Sequence, residues 1–218
     1  MQELEATHGQ YVFPREPGEA VCLVSNNCYG GAWYKAQKRE YNTPFIGCFL
    51  FAPCYLKLLE NFHEIMSMPV VTGWSTDDSK YKKRVSFPYP ILTLGGVAEV
   101  HFLHESGGVE AALGKWKRRK ARMTSNLVFK MCDHGASKAK AGTGAFDALA
   151  QRFFALPEQW PKYLFVGGGR GHKYRALSGA TKIVECGKEY PNEAPDGLKL
   201  ERHLGMADSI DEARVGRR

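Results

Sequence analysis

No two cysteines form a CxxC pair. They stand at Cys22, Cys28, Cys48, Cys54, Cys132 and Cys186, spacings that exclude a dithiol redox hairpin and a zinc ribbon. Several lie in apolar runs, where thiols serve as small core residues. The chain also lacks a phosphate-binding P-loop, a dinucleotide GxGxxG turn and a GxSxG nucleophile elbow. There is no DxD pair of the kind that holds a metal in many sugar-nucleotide glycosyltransferases. Asp77 and Asp78 are adjacent in a polar bend, where solvation is the expected state. The greasiest stretch, TPFIGCFLFAPCYLKLL, is broken by Pro44, Pro53 and Lys57, and a membrane span needs about 20 mainly apolar residues. Internal repeats and low-complexity linkers are absent.

Acidic residues are in short supply: 23 against 30 basic ones, a net charge of +7. The excess suits nucleic acid, an anionic membrane surface, or an acidic or phosphorylated substrate. Much of it sits in KWKRRKAR, residues 115–122. A single cluster argues less for a polyanion groove than distributed patches do. Neither a zinc finger, an RNP signature nor a helix-turn-helix pattern appears, so nucleic acid is not the expected partner. With no secretory pattern, the expected setting is the reducing cytoplasm, or the inner face of the membrane for a peripherally attached chain.

What is present is a core. Hydrophobic residues make up 44% of 218, enough for one large domain. AVCLV, PVVTGW, VAEVHFLHE, NLVFKMC, YLFVGGG and TKIVEC read as strands, and IGCFLF as a buried strand or a short apolar segment. CYLKLLENFHEIM, GGVEAALGKWKRRKARM and TGAFDALAQRFFAL read as helices. The two prolines of FPYPILTL favour an edge strand or an extended connection. Strands alternating with helices predict an α/β domain with a mixed or mostly parallel sheet flanked by helices. The expected division is a polar lead-in over 1–18, one α/β domain over 19–187, and a C-terminal extension over 188–218 whose DEARVGRR tail frays.

SNNCYGG, residues 25–31, carries the first concentration of chemistry. Ser25, Asn26 and Asn27 can cap a helix, and Gly30 and Gly31 allow close backbone approach. Cys28 then stands near free amides at a helix start, where a thiolate is favoured and an anion can bind. A structural thiol in a tight corner is the competing reading. The second concentration is VAEVHFLHESGG. On a strand, Glu99 and His101 share one face and His104 takes the other, which makes a shared HxxH metal site awkward. His104, followed by Glu105 at the strand end, is the candidate general base, and Glu99 can orient His101. In the basic helix, Lys115, Arg118, Arg119 and Arg122 form one stripe, suited to phosphate or carboxylate or simply to solvent. Trp116 is expected to anchor that helix in the core. GGGRGHKYR, residues 167–175, repeats the pairing of glycine and positive charge, with Arg170 and His172 as candidate contacts.

SNNCYGG, YNTPFIGCFLFAPCYLKLLEN, YPILTLGG, EVHFLHE and KWKRRKAR, in this order, resemble a bacterial family of uncharacterised proteins often labelled exopolysaccharide biosynthesis proteins. The resemblance spans roughly residues 20–170. Its motifs fall on Asn26 to Gly31, on Tyr41, Asn42, Thr43 and Pro44, on His101 to His104, and on Trp116, Arg118 and Arg119. The chain departs from the family pattern at Cys54 and Gly96, where relatives often carry aspartate.

The resemblance implies a transferase that makes or modifies a surface polysaccharide. It would use an activated sugar, phosphoryl or acyl donor and no resident cofactor. Cys28, His104 and His101 are then the catalytic candidates. Asn26, Asn27, Gly30, Gly31, Tyr41, Asn42, Arg118, Arg119 and Arg170 are the binding candidates. The expected partners are a glycan or lipid-linked saccharide and membrane-associated assembly machinery. The alternative is a non-catalytic glycan-binding or polysaccharide-assembly protein.

Overall fold

The computed structural model describes residues 20–36, 38–75, 87–132, 144–167, 171–175, 177, 179 and 181–186. Arg170, Asp77, Asp78, the lead-in and the C-terminal extension lie outside the described residues.

The fold is α/β, built on two sheets. Four parallel strands, β1 (Cys22–Ser25), β5 (Leu127–Cys132), β6 (Lys162–Gly167) and β7 (Lys182–Cys186), lie in the order β1-β5-β6-β7. Three antiparallel strands, β2 (Val70–Trp74), β3 (Pro90–Leu94) and β4 (Ala98–His101), lie in the order β2-β3-β4. The helices are α1 (Tyr29–Ala36), α2 (Ala52–Glu60), α3 (Phe62–Ser67), α4 (Gly108–Lys120), α5 (Gly144–Phe154) and α6 (Gly171–Arg175).

Side-chain alternation divides the parallel sheet into two buried faces, which is why its strands read as continuous apolar runs. Cys22, Val24, Phe129, Met131, Leu164 and Val166 enter a core shared with residues of α2 to α6. Leu23, Val128, Cys132, Tyr163 and Phe165 enter a second core, covered by Tyr29, Trp33 and Tyr34 of α1. Trp116 is buried in the first core, edge-on to Phe45 at 5.2 Å between ring centroids.

Three sequence expectations change. FPYPILTL supplies the central strand of its sheet, not an edge. Pro90 is the first residue of β3, where no ladder N–H is demanded of it, and its carbonyl accepts from Phe102 N–H at 2.9 Å. CYLKLLENFHEIM is two helices, broken at Asn61 (φ −133°, ψ 43°). Of the two readings of IGCFLF, the strand fails and the short apolar segment holds: it is an extended connector whose Phe49 makes an isolated antiparallel bridge to His101.

The two family departures fall at local structural positions. Cys54 lies in the first turn of α2, where an aspartate would favour the helix start. Gly96 lies in the β3–β4 hairpin turn with φ +71° and open space around a would-be Cβ.

The exit of α1 is a Schellman turn: Arg39 N–H reaches Tyr34 O and Lys38 N–H reaches Lys35 O, both at 3.0 Å. Its left-handed position is held by Lys38, at φ +51°, rather than by glycine. Lys38→Gly is therefore expected to stabilise the protein by about 0.5–1 kcal/mol, read as a higher urea midpoint with an unchanged slope.

Candidate functional site

The carboxyl ends of β1 and β5 bring SNNC together with residues about 100 positions away. Asn26 continues the parallel ladder beyond the end of β1. Its side-chain oxygen accepts Cys132 N–H at 3.1 Å, and its side-chain nitrogen donates to Cys132 O at 3.4 Å. Asn27 is the helix cap. Its Oδ1 accepts Tyr29 N–H at 3.2 Å, the Ser25 hydroxyl at 3.0 Å and the Lys130 ammonium at 2.9 Å, while its Nδ2 faces Cys132 Sγ at 3.2 Å. Lys130 is fully buried, with Nζ 4.8 Å from the ring centroid of Tyr29 and 5.0 Å from that of Phe165.

Cys28 immediately precedes α1, half-buried, and its thiol donates to the Cys48 carbonyl at 3.7 Å. Burial pushes the Cys48 thiol far up and the Cys22 thiol up to about 11, so both are protonated core groups. Gly30 packs closely on the chain before the connector: a Cβ there would meet Phe45 O at 3.4 Å, an ordinary van der Waals contact.

Tyr41, Asn42 and Arg119 act chiefly as a brace, with Arg119 against Tyr41 and Asn42 against Tyr34. The Tyr34 hydroxyl donates to Asn42 Oδ1, and Asn42 Nδ2 donates to Ala20 O at 3.3 Å. Arg119 lies over the Tyr41 ring at 5.1 Å and donates to Ile46 O at 3.1 Å, and burial lowers its pKa. Arg122 donates to Tyr41 O at 2.9 Å, and Lys120 donates to Met66 O. Most of the basic helix thus grips its own chain, while Arg118 is exposed.

The two histidines are separated in environment. His101 is the last residue of β4, 2% exposed, bonded through its backbone to Phe49. Its ring stands edge-on to Phe51 at 5.3 Å, with Nδ1 3.5 Å from the Tyr89 hydroxyl and Nε2 3.5 Å from Glu99. Burial lowers its pKa to about 4, and the carboxylate of Glu99, 55% exposed, is too well hydrated to reverse that. His104 lies in the exposed turn beyond the strand. Beside it, burial pushes the Glu105 carboxyl up, but bonds from Lys115 at 2.6 Å and Gly107 N–H at 2.9 Å bring it below its ordinary value. His172 is exposed on α6.

Sequence reasoning missed Lys130 and Cys132. The available signal was a lysine inside NLVFKMC, an otherwise apolar strand. Among the described residues, no cluster of His, Cys, Asp and Glu could hold a metal ion, and no helix is long and apolar enough to cross a membrane.

These features define an α/β protein with a buried polar cluster at the carboxyl edge of its parallel sheet. The chain belongs to the family described as a domain of unknown function (DUF1919), whose sequence model matches residues 15–152. That span includes every candidate above except Arg170 and His172. A Haemophilus influenzae protein described as uncharacterized is 28% identical over 131 residues, covering 60% of this chain and 58% of that protein. The chain thus spans under two thirds of the length of that relative.

His101 gives a signed pH prediction. Its ordinary value is 6.5 and its folded value about 4, so between these pH values the unfolded chain takes up the proton first. Stability therefore falls as pH drops through that window, by at most roughly 3 kcal/mol. Urea unfolding at stepped pH should show this slope, and His101→Gln should flatten it.

Proposed function

We propose that the protein is a transferase of surface-polysaccharide synthesis or modification, acting at the carboxyl edge of β1 and β5. The observation that carries this reading is the convergence of Asn26, Asn27, Cys28 and the buried Lys130 ammonium at the start of α1. Ligands of open α/β sheets bind outside the carboxyl ends of the strands. Positive charge and helix-start amides suit a donor that bears phosphate, or an acyl group whose carbonyl becomes an oxyanion. The resemblance to proteins labelled exopolysaccharide biosynthesis supplies the glycan acceptor.

Two routes use these residues together with His104, from the exposed turn beyond β4. In acyl transfer, the Cys28 thiolate adds to the donor carbonyl, expels the donor's leaving group and holds the acyl group as a thioester. A glycan hydroxyl then gives its proton to His104 and displaces the thiolate. In direct transfer, the hydroxyl loses its proton to His104 and attacks the donor, which departs as an anion, and Cys28 only shapes the turn. Arg118, exposed on α4, is available to an anionic lipid-linked saccharide, and the basic helix suits peripheral attachment at the inner face of a membrane. The second reading, a non-catalytic glycan-binding or assembly protein, is favoured by the internal engagement of Asn26, Asn27, Asn42 and Arg119.

A polysaccharide-production assay with matched protein levels separates these readings. Asn27→Ala and His104→Ala should each cut output about tenfold or more, and Lys57→Ala, on the exposed side of α2, should not. Normal output from both Cys28→Ser and Cys28→Ala would exclude the thioester and leave direct transfer. Normal output from all four site variants would exclude a transferase acting at this turn.

A further inference from the structure

The orientation of the Asn27 amide is a chemical necessity rather than a choice. Three groups converge on one end of it: the Lys130 ammonium, the Tyr29 N–H and the Ser25 hydroxyl. An ammonium and a backbone N–H can only donate, so the end they face must be the carbonyl oxygen. The amide NH₂ is thereby turned to Cys132 Sγ at 3.2 Å. Lys130 is itself held by the rings of Tyr29 and Phe165 and lies in register with Ser25 across the parallel ladder. Asn27 and Tyr29 are fixed in this way, and the residue between them is Cys28.

We propose that Lys130 is a positioning residue for Cys28: it locks the Asn27 cap that fixes the Cys28 backbone, and it sets a buried positive charge beside the helix start that favours the Cys28 thiolate. The inference rests on the reading of this turn as a reactive rim. The titratable groups facing Cys28 or its cap are Cys48 of the connector, whose carbonyl accepts from the Cys28 thiol, Arg119 of α4, which acts on Cys48, Lys130 and Cys132 of β5, which contact Asn27, and Tyr55 of α2, next to Cys132. Burial keeps Cys48 and Tyr55 neutral. The charges nearest the cap and Cys48 are then Lys130 and Arg119, both of the sign that stabilises a thiolate, and they act against the Cys48 carbonyl, which accepts from the Cys28 thiol.

The test is iodoacetamide alkylation of the full chain, followed at Cys28 by peptide mass spectrometry across pH. In the wild type, the Cys28 rate should reach half its maximum below the ordinary thiol value of about 8.5. A midpoint at or above that value overturns the proposal without any variant. Lys130→Met should raise the midpoint by about one pH unit, and Lys130→Arg should restore most of the shift. A purely structural lysine would lower the melting temperature of Lys130→Met and leave the midpoint of the folded variant where it was, which also overturns the proposal. Alkylation needs neither donor nor acceptor. Its failure therefore removes the role of Lys130 and leaves glycan transfer to be decided by polysaccharide output.

Discussion

The two sheets of this protein share one hydrophobic core, and among the described residues a hydrogen-bond path between them turns on Asn26. Its backbone N–H reaches Lys130 O at 3.4 Å, its side chain takes both backbone groups of Cys132, and its own carbonyl accepts Leu50 N–H at 2.9 Å. The neighbour of Leu50, Phe49, exchanges two 2.8 Å backbone bonds with His101. A continuous hydrogen-bond path therefore runs from β5 through Asn26 and the connector to β4. Asparagine suits this joint because its amide carries a donor and an acceptor at the spacing of a peptide group. Aspartate would set a carboxylate oxygen against Cys132 O, and leucine would leave buried backbone groups of Cys132 unpaired.

The same joint explains why the connector needs the basic helix. A chain that makes only an isolated bridge on one side is weakly held by backbone bonds alone. Arg119 and Arg122 reach across to the carbonyls of Ile46 and Tyr41, and Asn42 ties the segment to Tyr34. Hydrogen bonds from charged donors contribute about 1.5–3 kcal/mol each where they are shielded from water, and Arg119 is half-buried. The run KWKRRKAR is thus less a free electrostatic surface than a clamp with one exposed edge at Lys117 and Arg118.

The period-2 and period-3.6 patterns made the α/β class legible, because each strand run and each helix face obeys its own local rule. Long-range placement was not legible. Nothing near residue 25 announces that β5, over 100 residues on, supplies its parallel neighbour, so Lys130 and Cys132 could not be joined to Asn27. The edge reading of Pro90 failed because proline is excluded only where a ladder N–H is required, and the first position of β3 requires none. The helix break at Asn61 was hidden by an apolar pattern that continues through it. His101 and His104 differ in the way a strand ending between them requires: the first is a buried link in the wall and the second is exposed.

Two buried lysines show why Lys130 has a different meaning from a satisfied core charge. Lys162 donates to the carbonyls of Phe154, Leu156 and Pro157 at the end of α5. There the helix dipole is negative and the last carbonyls lack partners, so two local effects favour a cation against the burial that lowers the Lys162 pKa. Lys130 stands at the opposite kind of place. Its ammonium meets the cap at the start of α1, where the dipole is positive and a cation is disfavoured. Tyr29, Phe165 and Asn27 hold it there nonetheless. A positive charge kept against the helix field, beside the capped start of α1, raises the local potential beyond what either produces alone. Negative charge at the start of α1 relieves both terms at once, and the side chain there able to supply it is the thiol of Cys28.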